Sequence, residues 1–162
     1  ARIATLYEGT TGIQSMDLLG RKVLLDGGQT FNAFIEIIQT SLPDIDEEFR
    51  SLLAAQVTEW ESLTQAIMVS AGGDIDELGA SAFDYLMYSG YVIMSWMWAR
   101  MASVALINGK DNDSAFYRLK IETARFYFQK ILPRTQMHKQ QIENGCSSVM
   151  QSTMDDFRES MI

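Results

Sequence analysis

The chain has little that suits cross-linking or metal chemistry. Among its 162 residues is one cysteine, which excludes an internal disulfide and a multi-cysteine metal site and fits a reducing, cytoplasmic location. One histidine argues against a zinc site built from histidines. Positive charge is also short. Thirteen Lys+Arg against 21 Asp+Glu leave a net charge of -8. A nucleic-acid partner is therefore not expected, because phosphate contacts need clustered cations. No basic stretch leads into an apolar run near the start, so no signal peptide is read there. Ala1 stands where an initiator Met would, and the chain reads as a piece of something longer. The longest uncharged stretch in the middle, residues 85–99, has fifteen residues. That is short of the roughly twenty a membrane span needs, and it carries Tyr, Ser and Gly, so a buried helix is expected.

What the chain does have is helix-forming material. Apolar residues make up 47% of it, with ten Met and only two Pro, enough for a core in one domain or at most two small ones. Gly27-Gly28 and Leu42-Pro43-Asp44 break the pattern early, so helices are expected over residues 12–25 and 30–40. Asp44 or Asp46 should cap the next helix, with acidic residues in its first turn. Its apolar positions Phe49, Leu52, Leu53, Val57, Trp60, Leu63 and Ile67 make one stripe, and Ala71-Gly72-Gly73 ends it.

Asp74 and Glu77 read as a capping pair for the longest helix, running to about residue 107. Its second half is apolar on nearly every side and belongs in the middle of a bundle. Asn112 or Asp113 should cap the last long helix, with Phe116, Leu119, Ala124, Phe128 and Ile131 facing the core. Pro133 should kink it rather than stop it. It should end at residue 143, before Gly145, with a short helix over residues 147–157. No segment alternates with period two. The expected fold is all-α, an antiparallel bundle of long helices.

The stretch that carries chemistry is Tyr7-Glu8-Gly9-Thr10-Thr11-Gly12-Ile13-Gln14, followed by Asp17-Leu18-Leu19-Gly20-Arg21-Lys22. Physically it is a small-residue loop entering a helix N-terminus. Gly9 and Gly12 allow close approach of backbone to a ligand, and first-turn amides suit a pyrophosphate. A carboxylate at position 8 can accept a proton if an apolar ligand dries its surroundings. From spacing alone, Glu8 reads rather as a solvated residue near a helix start, since glycine-rich loops of this kind are common.

These strings resemble the C-terminal motif of the acyl-CoA dehydrogenases. They are most similar to the larger bacterial-type members, a group that includes the 3-methylmercaptopropionyl-CoA dehydrogenases and carries an extra helical domain after the motif. Softer similarities follow at Gly90-Tyr91-Val92, Trp96 to Ala102, Ala124-Arg125-Phe126-Tyr127 and Ile131-Leu132-Pro133, so the resemblance covers essentially the whole chain. It implies that Glu8 is the catalytic base, taking the α-proton of an acyl-CoA thioester while the β-hydrogen leaves as hydride to FAD. It implies that the Glu8 main-chain N–H helps hold the thioester oxygen, and that Tyr7 and Gly9 flank the substrate. Thr10, Thr11, Gly12 and Gln14 fall where the family contacts FAD. Several smaller members have Gln at the position of Gly12, which leaves a backbone contact there. An electron-transferring flavoprotein is the implied partner, and a homo-oligomer is expected. Residues 1–42 would then end the catalytic helical domain, and 43–162 would be the extension. The family's upstream domains, which hold most of the flavin and the acyl chain, precede the motif. The isolated chain is therefore expected to bind no FAD and to be inactive. The other reading is a non-catalytic helical interaction or oligomerisation module.

The remaining residues read blandly. Trp60, Trp96 and Trp98 are expected in packing, and Met87, Met94, Met97 and Met101 as core fillers. His138 lies among polar residues and is expected on the surface. Cys146 reads as a small structural residue, Arg21-Lys22 and Arg100 as local ion pairs, and Asp74 to Glu77 as capping rather than calcium binding. Cutting away a catalytic bundle would bare Leu18, Leu19, Phe31, Phe34, Ile37 and Ile38. The chain is then expected to dimerise or to fold those helices onto its own extension.

Overall fold

A computed structural model describes residues 10–109, 114–152 and 156. Among them there is no strand. The fold is all-α, an antiparallel bundle of long helices. Helix α1 (Thr11–Met16) continues as a wider π turn, Asp17–Leu24, closed by a bond from Leu25 N to Gly20 O of 3.1 Å. Gly27 and Gly28 follow with φ of 64° and 81°, the left-handed region that glycine enters without steric cost. A Cβ at Gly28 would also sit 3.2 Å from Met68 Sδ, so the turn is tight as well as left-handed.

Helix α2 (Gln29–Ser41) ends in the single turn Leu42–Asp44 that Pro43 imposes. Helix α3 (Glu47–Ser70) is capped by Asp46, whose side chain accepts from Glu48 N at 3.0 Å. Its core stripe is as expected, with Phe49, Leu53, Val57, Trp60, Leu63 and Ile67 buried. Leu52 is the exception at 56% exposed, because it lies on the edge of the stripe.

Helix α4 (Ile75–Asn108) is the longest, about 51 Å at 1.5 Å per residue. Asp74 caps it by accepting from Asp76 N and Glu77 N. The reciprocal half of the capping pair is replaced: Glu77 turns to Cys146, as described below. Tyr85, Tyr88, Val92, Ala99 and Ala102 on α4 are fully enclosed, which makes it the centre of the bundle. By length and composition α4 is also long and apolar enough to cross a membrane, and 39% of its most apolar stretch is buried inside the protein. One face of α4 is not enclosed. Met94 (44%) and Met101 (36%) are exposed rather than core fillers.

Ser114 caps helix α5 (Ala115–Phe126), accepting from Phe116 N. The expected caps Asn112 and Asp113 lie outside the described residues. Ala124 and Phe128 are buried and Ile131 is partly so, but Phe116 and Leu119 are 62% and 57% exposed. Before Pro133 the helix widens into a π turn, Tyr127–Ile131, and tightens through Leu132–Arg134. Pro133 lacks an N–H and would press on the carbonyl four residues back, and the widened turn accommodates both. Helix α6 (Thr135–Glu143) resumes the line and ends at Gly145, with φ of 64°. The last described helix, α7, is Ser147–Met150, shorter than the 147–157 expected; most positions after residue 152 are outside the described residues.

Helices α1 and α2 fold back onto the rest of the chain. Leu19 and Ile38 are fully buried, Phe31 nearly so, and Leu18 and Phe34 partly so, while Ile37 stays 57% exposed. Phe31 meets Trp60 edge-on at 5.0 Å, and Phe34 stands edge-on to both Trp60 and Trp96. Trp96 Nε1 donates to Ser41 Oγ at 2.8 Å. The aromatic side chains thus fasten α2 to α3 and α4, as packing residues should.

Candidate functional site

The residues expected at the site divide in two. Tyr7, Glu8 and Gly9 lie outside the described residues. Thr10, Thr11, Gly12 and Gln14 form the first turn of α1, with Thr10, Gly12 and Gln14 exposed and Thr11 half-buried. The Thr10 carbonyl accepts from Gln14 N at 2.8 Å, which closes the turn. Buried Ser15 donates to the Gly12 carbonyl at 2.8 Å and anchors it. The Thr10 side chain caps none of the first-turn amides. A Cβ at Gly12 would meet nothing within 4 Å among the described residues. The positive dipole end of a helix, with a glycine in its first turn, suits an anionic group. Arg21 and Lys22, one turn and more downstream, both pair with Asp17.

Three polar clusters lie elsewhere in the bundle. The largest surrounds Glu59. Its Oε2 accepts from Tyr88 OH (2.8 Å), Gln56 Nε2 (2.8 Å) and Gln136 Nε2 (3.0 Å), and its Oε1 from Lys139 Nζ (2.7 Å). Burial works against the charge, but these bonds, led by that from Lys139, outweigh it and hold the Glu59 carboxyl below its ordinary range. Burial, then the Glu59 charge, pushes the Tyr88 phenol well up. Nearby, Thr64 Oγ1 donates to Trp60 O and accepts from Tyr85 OH at 2.9 Å; burial raises Tyr85 to about 12. These groups are mutually satisfied and join α3, α4 and α6.

The second cluster overturns the expectation for His138. It is not a surface residue but 4% exposed, with Nδ1 donating to Asp84 Oδ1 at 2.7 Å and its ring stacked on Tyr91 at 5.7 Å. Thr135, His138 and Ile142 recur at intervals of three and four and are all buried. That spacing was the available signal, masked by the polar neighbours Gln136, Lys139 and Gln140. The third cluster is Glu77 with Cys146. Oε1 accepts from Cys146 N at 3.2 Å and from Sγ at 3.1 Å. That hydrogen bond, with burial and the local negative charge, pushes the thiol up to about 11, which leaves little of the nucleophilic thiolate at neutral pH. Arg100 is not in an ion pair with any described residue; its guanidinium stands over the Trp96 ring at 5.2 Å. No group of three His, Cys, Asp or Glu among the described residues could hold a metal ion.

Residues 29–153 match the family described as acetyl-CoA dehydrogenase C-terminal like. The chain belongs to this family. Two curated acyl-CoA dehydrogenases are similar along nearly all of it. The 3-methylmercaptopropionyl-CoA dehydrogenase of Ruegeria pomeroyi is 30% identical over 161 residues, covering 95% of this chain and 27% of the relative. A broad-specificity linear acyl-CoA dehydrogenase of Mycobacterium tuberculosis is 28% identical over 167 residues, covering 93% of this chain and 27% of the relative. The chain thus spans about a quarter of the length of the acyl-CoA dehydrogenases it matches. The expected family likeness thus holds, through a match over residues 29–153 that lies after the Tyr7–Gln14 string.

Proposed function

We propose that the chain is the C-terminal helical part of a flavin-dependent acyl-CoA dehydrogenase, with Glu8 as its catalytic base. Support comes chiefly from one observation: a chain whose residues 29–153 match this family carries Tyr7-Glu8-Gly9-Thr10 directly before the helix that begins at Thr11. FAD, when bound in the whole enzyme, would supply the acceptor for the β-hydrogen of the acyl chain as hydride. The part played by this chain is proton removal and positioning. The Glu8 carboxylate takes the α-proton, and the electron pair of that C–H bond becomes the new carbon–carbon π bond as the β-hydride departs. The α C–H is a weak acid, so negative charge building on the thioester oxygen must be stabilised. The Glu8 main-chain N–H serves there. Tyr7 and Gly9 flank the substrate, and Thr10, Thr11, Gly12 and Gln14 contact the cofactor.

In this reading residues 1–42 close the catalytic domain and 43–162 form the helical extension. The whole enzyme is a cytoplasmic homo-oligomer that passes electrons to an electron-transferring flavoprotein. The isolated chain, without the parts that enclose flavin and acyl group, binds no FAD and is inactive; yellow flavin bound one-to-one to the purified chain would overturn that point. The assignment of the base is tested by Glu8→Gln in the full-length polypeptide. It should abolish turnover on acyl-CoA and leave bound flavin unchanged. Undiminished turnover would leave a helical interaction module as the function.

A further inference from the structure

Met94, Met101, Phe116 and Leu119 are spaced as core residues yet lie 44%, 36%, 62% and 57% exposed. On α4, Met94, Met97, Met101 and Val104 recur at intervals of three and four, the spacing of a seam between helices. Met97, Met101 and Val104 form one wall of a groove of about 540 Å³, and Phe116 and Tyr117 of α5 form the other. Val104 continues with Ile107 into a second groove of about 570 Å³ that reaches Pro43. The apolar surface therefore crosses α4 from one side to the other.

The cations on this surface add a second observation. Arg100 and Lys120 both line the first groove. Arg100 stands over Trp96, and Lys120 lies 5.6 Å from the Trp98 centroid and 5.4 Å from that of Phe116. Neither pairs with a carboxylate among the described residues, although the chain holds 21 acidic residues to 13 basic ones.

We propose that this surface docks a helix from outside the 162 residues, one with an apolar stripe at intervals of three and four and carboxylates along its flanks. The two grooves share Arg100 and Val104, so the apolar surface is longer than a small ligand needs and suits a helix laid in a groove. Methionines adapt to such a partner. Carboxylates on its flanks would complement Arg100 and Lys120. The first groove is lined by two cations and no carboxylate, so a second copy docked groove to groove would bring it no counter-charge.

The test uses labelled helical peptides of about twenty residues, with leucines at the seam spacing and either glutamates or lysines on the flanks. Binding to the protein is read by fluorescence anisotropy. The glutamate peptide should bind one-to-one, and the lysine peptide roughly tenfold or more weakly, a difference of about 1.4 kcal/mol or more. Met101→Glu, at an exposed position, should weaken the glutamate peptide by a similar factor with helical circular dichroism unchanged. Arg100→Glu with Lys120→Glu should reverse the preference. Equal binding of both peptides, or no binding of the glutamate peptide, would overturn the proposal. So would dimerisation by light scattering that Met101→Glu abolishes, which assigns the face to a second copy. Saturable binding of dodecanoate at the groove without binding of the peptide would assign it to a small amphiphile and equally overturn the proposal.

Discussion

Replacing Glu59 with Ala removes the acceptor at the centre of the polar network that joins α3, α4 and α6. Tyr88 is fully enclosed, and its hydroxyl donates to Glu59 at 2.8 Å. A buried donor stripped of its acceptor costs about 1–3 kcal/mol. The Lys139 pair, with side chains 30% and 23% exposed, adds at most about 1 kcal/mol. A loss of roughly 2–3 kcal/mol follows, or a fall in Tm of about 5–10 °C for a chain of this size. Urea unfolding followed by tryptophan fluorescence measures it, since Trp60 lies beside the network. Tyr88→Phe supplies the control. With the phenol already gone, Glu59→Ala should cost less than it does alone, and the two changes should fail to add by at least about 0.5 kcal/mol. The pH dependence has a definite sign. Because the folded state holds the Glu59 carboxyl below its ordinary value, its contribution is complete above the unfolded value and is lost as pH falls through the lowered one. The gap between wild type and Glu59→Ala should therefore narrow in acid. Strict additivity with Tyr88→Phe, or a cost for Glu59→Ala below about 0.5 kcal/mol, would refute the reasoning.

Asp84→Ala leaves the buried His138 ring nitrogen without its partner and should cost about 1–3 kcal/mol in a denaturant melt, with Asp84→Asn milder because it keeps an acceptor; no change for Asp84→Ala would show that the pair carries no weight. Cys146 should react slowly with a thiol-specific disulfide reagent at neutral pH, about tenfold faster per pH unit up to its raised value near 11. Glu77→Gln removes the charge and the acceptor strength that raise it and should speed the reaction at pH 8; an unchanged rate would count against the Glu77 contact. Gly145→Ala meets both a φ of 64° and the Glu77 carboxylate 3.0 Å from the new Cβ, so a loss of about 1 kcal/mol or more is expected in the same melt.

Most helix ends were legible because particular residues impose them. Gly28 and Gly145 supply left-handed turns, Pro43 ends a helix, and Asp46 and Asp74 cap with their side chains. The stripe on α3 was legible because its spacing alone fixes the buried face, with Leu52 misplaced at its margin. The π turns were not, because a bond to the fifth residue back has no residue signature of its own; only Pro133 marked where the second would fall. His138 was missed by reading its neighbours in sequence instead of those three and four residues away. Phe116, Leu119, Met94 and Met101 were placed in the core because spacing reports which face is apolar and not whether the surface that covers it belongs to this chain. At the candidate site, geometry and sequence meet only at Thr10 to Gln14, where a helix begins at Thr11, one residue before the expected start. The proposed roles of Tyr7, Glu8 and Gly9 rest on the resemblance of that string to the acyl-CoA dehydrogenase motif.

The most direct measurement concerns the proton itself. The full-length polypeptide is incubated in deuterium oxide with an acyl-CoA, and label at the α-carbon is read by mass spectrometry. The wild type should exchange the α-hydrogen. Glu8→Gln, with its flavin still bound, should exchange none above the rate without protein. Exchange by Glu8→Gln at the wild-type rate would contradict the account and move the base to another residue.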